Sequence, residues 1–180
     1  ASQTIPAANY GNLDLTGGNR TLASSGTIGI CGTFTRGAGT YTITGSTVDY
    51  NGSGAQTIAA GTYNNLTISN ARSAANLTSP AGTIAVAGTF DISTLSAYTP
   101  VVNAASIFDF TSAGAQSIPA FFYGQLNNTG NGNRTWASSG IIDINQNFSP
   151  GTGTHTVTGS TVRFSATTGT FSLVNFTSSA

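Results

Sequence analysis

Apolar residues along this chain come in short pairs separated by one residue. Leu13/Leu15, Ile28/Ile30, Val48/Tyr50, Leu66/Ile68, Ile84/Val86, Phe108/Phe110, Ile142/Ile144, Val162/Phe164 and Val174/Phe176 follow the pattern, and Leu126 keeps its first half with Asn128 breaking the second. A period of two marks strands whose alternate side chains face a core. Gly, Asn, Ser and Pro clusters separate the pairs, as turns between short strands require. The steps between first members are 15, 20, 18, 18, 24, 18, 16, 20 and 12 residues, about 18 on average.

A longer repeat overlies this one. Gln3-Thr4-Ile5-Pro6-Ala7 recurs from Gln56 and from Gln116, at spacings of 53 and 60, and Tyr10, Tyr63 and Tyr123 each follow their Gln by seven. The segment Asn19–Gly26 returns as Asn133–Gly140, and Gly39–Val48 returns as Gly153–Val162. The long units run 1–54, 55–114 and 115–169, and 170–180 begins a partial fourth unit or a junction strand.

Coils of about 18 residues suit a single repeat domain, 1–180, folded as an all-β, right-handed parallel β-solenoid of about ten rungs. One coil cannot bury its inward residues alone, whereas stacked coils share a continuous core. A β-trefoil or a β-sandwich also accommodates three units or many short strands. A trefoil gives no reason for a fine period threading all three units. Ten rungs at ~4.8 Å predict a rod ~50 Å long with an open sheet edge at each end.

Composition narrows the function classes. Charged residues make up 6% of the chain, against roughly 25% in ordinary globular domains. There is no Lys, Glu or Met, and the formal net charge is zero. Five scattered Arg cannot support nucleic-acid binding by counterion release. No apolar run approaches the roughly 20 residues of a membrane span, so membrane insertion is not expected. With 10 Phe and 6 Tyr, the chain has the aromatic content that disordered sequences lack.

The strings Gly54-Ala55-Gln56-Thr57-Ile58, Gly61–Ile68 and Gly82–Phe90 resemble the tandem repeats of large bacterial secreted and cell-surface proteins. That resemblance implies β-helical stalk or adhesin modules, used as spacers or adhesive surface, with no family catalytic residues to transfer. Thr170–Thr177 aligns without gaps to Thr62–Ser69, and Phe176–Ala180 also resembles Phe110–Gly114, so that joining it to Ala1-Ser2-Gln3 of another copy would complete a repeat junction. No charged or Pro-rich cap stands at either end, which predicts head-to-tail association.

Candidate chemistry is sparse. The single Cys31 can form no intramolecular disulfide and is not a zinc site by itself. The single His155 stands where repeat 1 has Tyr41, twelve residues from Asp143, without the nucleophile and orienting acid a catalytic His needs. The middle residues of the pairs include Asp14, Asp49, Asp109 and Asp143; stacked rungs predict Asp109, Asn127 and Asp143 on one face, with Arg163 beside Asp143. Two carboxylates fall short of the six to eight oxygens calcium takes, while Asp109 and Asp143 could reach a glycosidase spacing. Thr33/Thr35, Thr42/Thr44 and Thr156/Thr158 resemble the threonine ranks of ice-binding solenoids, a pattern the second repeat interrupts. Asn19, Asn51, Asn65, Asn76, Asn127, Asn133, Asn147 and Asn175 head Asn-x-Ser/Thr sequons and are candidate glycosylation acceptors. Trp136 and Phe121/Phe122 replace smaller residues of other repeats and fill either the core or a sugar-stacking platform.

The resulting expectation is an extracellular or cell-surface structural or adhesive protein, a fibre subunit or segment. Its partners are copies of itself end to end, and glycans or another cell surface. No enzyme activity, cofactor, catalytic residue or metal site is expected. Ice binding and a carbohydrate-binding module are the alternatives.

Overall fold

A computed structural model describes residues 2–166, 168–173 and 175–178. The chain winds as a parallel β-solenoid of about eight turns, with no helix among the described residues. Each turn contributes three short strands. The first turn holds β1 (Gln3–Ile5), β2 (Asn9–Tyr10) and β3 (Leu13–Leu15); the second holds β4 (Arg20–Leu22), β5 (Thr27–Ile30) and β6 (Phe34–Arg36). The third and fourth hold β7 (Tyr41–Thr42), β8 (Thr47–Tyr50), β9 (Gln56–Thr57), β10 (Gly61–Tyr63), β11 (Asn65–Ile68) and β12 (Asn76–Ser79). The fifth and sixth hold β13 (Gly82–Val86), β14 (Phe90–Asp91), β15 (Thr99–Val102), β16 (Ser106–Phe110), β17 (Gln116–Ile118) and β18 (Phe122–Tyr123). The last two hold β19 (Gln125–Asn127), β20 (Arg134–Trp136), β21 (Ile141–Ile144), β22 (Phe148–Ser149), β23 (His155–Val157) and β24 (Thr161–Phe164). Phe171, bridged to Phe148, and β25 (Phe176–Ser178), paired with β23, start a ninth turn.

Almost every ladder joins a strand to the one three further on, always in parallel. This arrangement makes three faces. Strands β1, β4 and β7 begin the first, β2 and β5 the second, β3 and β6 the third. Parallel stacking of this kind excludes the trefoil and the sandwich, which are built from antiparallel strands.

Eight turns replace the ten rungs expected, for a reason visible in the register. Paired residues lie between 17 positions apart, as Gln3 and Arg20, and 24 apart, as Leu66 and Phe90. The apolar-pair steps of 15, 18 and 16 at Leu13–Ile28, Leu66–Ile84 and Leu126–Ile142 connect strands only two apart, on different faces. Counting them as full turns shortens the period. The rod is therefore ~38 Å long at ~4.8 Å per turn.

Each long unit contains eight strands: β1–β8, β9–β16 and β17–β24. Eight is not a multiple of three. Equivalent strands therefore stand on successive faces: β1 on the first, β9 on the third, β17 on the second.

The core is a set of inward columns. Ile28, Val48, Leu66 and Phe90 stack on one face, and Ile84, Phe108, Leu126 and Phe148 on another, none more than 4% exposed. Full burial of each such side chain contributes about 1.5–3 kcal/mol.

The corners explain the Asn and Thr content. Where the strand ladder stops, an Asn side-chain oxygen accepts the backbone N–H of a Thr one turn later. The pairs are Asn12–Thr33 at 2.8 Å, Asn19–Thr40 at 2.9 Å, Asn65–Thr89 at 3.0 Å, Asn131–Thr152 at 2.9 Å, Asn133–Thr154 at 3.0 Å and Asn147–Thr170 at 2.9 Å. These bonds carry the ladder round the bend and satisfy amides that would otherwise need water. Two corners also demand Gly: a Cβ on Gly39 or Gly153 would lie 2.1 Å from the Gly18 or Gly132 carbonyl oxygen.

Candidate functional site

The residues that recur at the head of each long unit build a junction. No ladder joins β6 to β9, β7 to β10, β14 to β17 or β15 to β18 among the described residues. Side chains fill these seams. Gln56 Nε2 donates to the Ile30 and Gly32 carbonyls at 2.8 and 2.9 Å, and its Oε1 accepts the Gly52 N–H. Gln116 repeats the arrangement on Val86 and Gly88, with Ser112 N–H on its Oε1. A buried side-chain amide thus replaces a missing strand pair.

A buried arginine holds the preceding turn at both junctions. Arg72 donates to the Tyr50 carbonyl at 2.6 Å, to Gly54 at 3.2 Å and to Gln56 Oε1 at 2.8 Å. Arg134 donates to Phe110, Ser112 and Gly114 carbonyls at 2.8–2.9 Å. Both side chains are almost fully buried, and no carboxylate forms a salt bridge with either among the described residues. Burial pulls both guanidinium pKa values down. Carbonyl dipoles, focused by the turn, take the place of a counter-ion.

The recurrent tyrosines shape the next bend. Tyr10, Tyr63 and Tyr123 each donate the hydroxyl to the carbonyl four residues back, at Pro6, Ala59 and Pro119. Arg36, at the seam between β7 and β10, lies over the Tyr41 ring at 4.3 Å and donates to the Thr62 carbonyl. The Gln-to-Tyr offset therefore marks a splice between units.

Outside the core the solenoid carries threonine ranks. Thr4, Thr21 and Thr42 stack in register on the first face, beside Pro6, Ala23 and Thr44, and line a cleft of about 590 Å³ with Ser24 and Ser25. On the second face Ser117, Thr135, Thr156 and Thr177 stack likewise, with Pro119, Ala137 and Thr158 following them in sequence. Repeats 1 and 3 keep these outward residues nearly unchanged: Pro6/Pro119, Thr21/Thr135, Ala23/Ala137, Ser24/Ser138, Ser25/Ser139, Thr42/Thr156 and Thr44/Thr158. Beneath them Ile5/Ile118 is kept, while Leu22/Trp136, Tyr41/His155 and Ile43/Val157 differ. On β5 and β21 the pattern is the reverse. There the buried Ile28/Ile142 and Ile30/Ile144 are kept, and the outward Gly29/Asp143 differ.

The carboxylate expectation needs correcting. Asp109 and Asn127 are register partners, but Asp143 lies on the third face, so the three do not line one side. The 16-residue step from Leu126 to Ile142 spans only two strands and so changes face, which separates them. Both Asp109 oxygens are bonded to Thr129, one from its N–H and one from its hydroxyl. Arg163 does pair with Asp143. The threonine pairs also separate: Thr35 is on β6, Thr42 on β7 and Thr156 on β23, one on each face.

Cys31 is exposed, its thiol 3.2 Å from Asn51 Oδ1. Trp136 and Phe121 are buried at 1% and 2% and fill the core, whereas Phe122 is half-buried, in register with the outward Asp143. His155 is fully buried. Among the sequons, Asn51, Asn65, Asn147 and Asn175 use their side-chain nitrogen as a donor, and Asn127 is half-buried. Asn19, Asn76 and Asn133 are exposed, with no such bond among the described residues. Val174, Ser179 and Ala180, which complete the last apolar pair and the junction-like tail, lie outside the described residues.

Sequence reading missed Arg72. It does its work five residues before Leu77, the position equivalent to Arg134, so unit-by-unit alignment hides it. It also missed that Asn128, Trp136 and His155 meet. The chain matches no protein-family model, and no curated protein and no solved structure matches it.

Proposed function

We propose that this chain is an extracellular structural and adhesive β-solenoid, a fibre subunit or a segment of a longer repeat protein. Its coils stack end to end with copies of themselves, and its neutral, hydroxyl-rich outer ranks meet glycans or another cell surface. It runs no reaction and holds no cofactor. The observation that carries this reading is the outward threonine face that repeats 1 and 3 share while three of the four core positions beneath it differ. Constraint on an outer surface, with freedom inside, suits contact with a partner better than a purely packing role. The parallel sheets and the low charge suit a rod that adds length without electrostatic repulsion.

The test has two arms. Electron microscopy and sedimentation of concentrated protein read end-to-end association, and isolated short rods at every concentration would remove it. Retention on neutral insoluble polysaccharides, before and after Thr21→Asp with Thr135→Asp, reads adhesion; equal retention of both proteins would remove that part.

Ice binding is the second reading, favoured by the in-register rank Ser117, Thr135, Thr156 and Thr177. A thermal hysteresis assay decides it.

A further inference from the structure

The core of the last turns contains a polar triad that the first repeat lacks. Strand register makes Asn128 the counterpart of Leu15, Trp136 of Leu22, and His155 of Tyr41. Three neighbouring core positions have changed together. In repeat 1 the Tyr41 hydroxyl donates to the Leu15 carbonyl and accepts the Gly37 N–H. In repeat 3 the imidazole of His155, with no exposed surface, occupies that place.

The hydrogen bonds fix its state. Trp136 Nε1 is only a donor and lies 3.0 Å from His155 Nδ1, so Nδ1 carries no proton. Nε2 then carries it and donates to the Pro150 carbonyl at 2.8 Å. Asn128 donates to the same carbonyl at 2.8 Å and to Gly132, and its side-chain oxygen is buried without a partner. The ring stacks on Phe176 of β25 at 5.0 Å and packs edge-on against Phe148 of β22. This one imidazole therefore joins β20, β22, β23 and β25.

We propose that Asn128, Trp136 and His155 form an acid-sensitive latch whose protonation loosens the C-terminal turns, β22 to β25, from the rest of the solenoid. A second proton must go to Nδ1, where it meets the Trp136 N–H, donor against donor. The Pro150 carbonyl on Nε2 favours the charged ring, but no carboxylate pairs with it among the described residues. Phe148 faces the ring from β22, Phe176 from β25 and the Asn128 amide from the turn after β19; the charged group set against it is Arg134 of β20, of the same sign as an imidazolium. Burial first, and then Arg134, hold the His155 pKa below its ordinary value of 6.5. The unfolded chain binds the proton at that ordinary value and the folded chain only below it. Stability is thus full above about pH 6.5 and falls as pH drops toward the lowered folded value.

The experiment uses the chain as it stands. Thermal midpoints by far-UV circular dichroism and Trp136 emission, the only tryptophan, are recorded at about pH 7.5 and pH 5. Two variants supply the reference. One carries Asn128→Leu, Trp136→Leu and His155→Tyr, the residues repeat 1 already packs at these positions. The other carries His155→Gln alone, which keeps an acceptor for Trp136 and cannot titrate. The wild type should lose about 3–5 °C more than His155→Gln for each unit by which the pKa is displaced, with an emission change that His155→Gln lacks. After correction for the slower intrinsic exchange at acid pH, protection should fall about tenfold per unit of displacement in β22–β25 and stay unchanged in β1–β9. A wild type that loses stability in parallel with both variants, or with His155→Gln alone if the triple variant does not fold, overturns the latch.

Discussion

Gln116 donates its side-chain amide to the Gly88 carbonyl, 28 residues earlier and on the preceding coil, at 2.5 Å. Its counterpart Gln56 does the same to Gly32. Here the solenoid changes repeat without a strand pair, and one side chain closes the gap. Gln116→Ala should remove both donations, leaving the Val86 carbonyl with the Thr111 N–H alone and the half-buried Gly88 carbonyl without its side-chain donor. Chemical denaturation should show a loss of about 2–3 kcal/mol. An unchanged midpoint would mean that the seam holds without its splice.

Arg134 makes a different kind of demand. Four carbonyls converge on one guanidinium whose fork no other side chain reproduces. Arg134→Met should cost at least about 3 kcal/mol, since several buried acceptors lose charged donors at once. Arg134→Lys should recover less than half of the loss, because an ammonium cannot span the turn from Phe110 to Gly114. Full recovery with Lys would show that charge alone suffices.

Glycines 39 and 54 form a matched pair. A Cβ at Gly39 would strike the Gly18 carbonyl at 2.1 Å, whereas Gly54 has nothing within 4 Å. Gly39→Ala should lower the thermal midpoint by several degrees, at a cost of about 1–3 kcal/mol. Gly54→Ala should leave it unchanged or slightly raised. Equal effects at both sites would contradict the close coil contact.

Asp49 is half-buried, and desolvation raises its pKa, with Ser69 bonded to one oxygen and the other without a partner. An acid raised in the folded state is a stabilising proton site at low pH and a liability once ionised. Asp49→Asn should therefore be more stable than the wild type at neutral pH. The difference should shrink as pH falls through the Asp49 titration. A destabilised Asp49→Asn at neutral pH would show that Arg72, opposite in charge, outweighs burial.

The exposed sequons Asn19, Asn76 and Asn133 can carry a glycan without giving up a side-chain donor bond. Asn65 and Asn147 cannot, because their nitrogen contacts Thr47 and Gln125 while their oxygen staples the next coil. In folded protein from a glycosylating host, peptide mapping by mass spectrometry should find occupancy at the first three and none at Asn65 or Asn147. Occupied Asn65 in folded material would undo this assignment.

The strands themselves were legible in the sequence because a period of two leaves the same trace wherever it occurs. Leu13/Leu15 and Ile28/Ile30 read as inward pairs, and both are inward. The number of turns was not legible. Strands such as β1, β4 and β7 turn one apolar residue each toward the core, Ile5, Leu22 or the half-buried Tyr41, and a lone apolar residue has no period. For the same reason the Asp109–Asp143 alignment failed: sequence shows how far apart two strands are, and not which face each occupies. The junction was half legible. Gln and Tyr recur at fixed offsets, but Arg72 and the meeting of Asn128 with His155 depend on contacts between coils, which no single unit records.

Eight strands per unit laid over three sides gives the rod a screw-like display. Every added unit carries its features a third of the way around the axis, and the starting orientation returns only with the fourth. A long array would turn its threonine ranks through all azimuths, so that no flat surface laid against it could cover all of them. Losing or gaining a single strand in one unit would swing everything beyond it through the same angle.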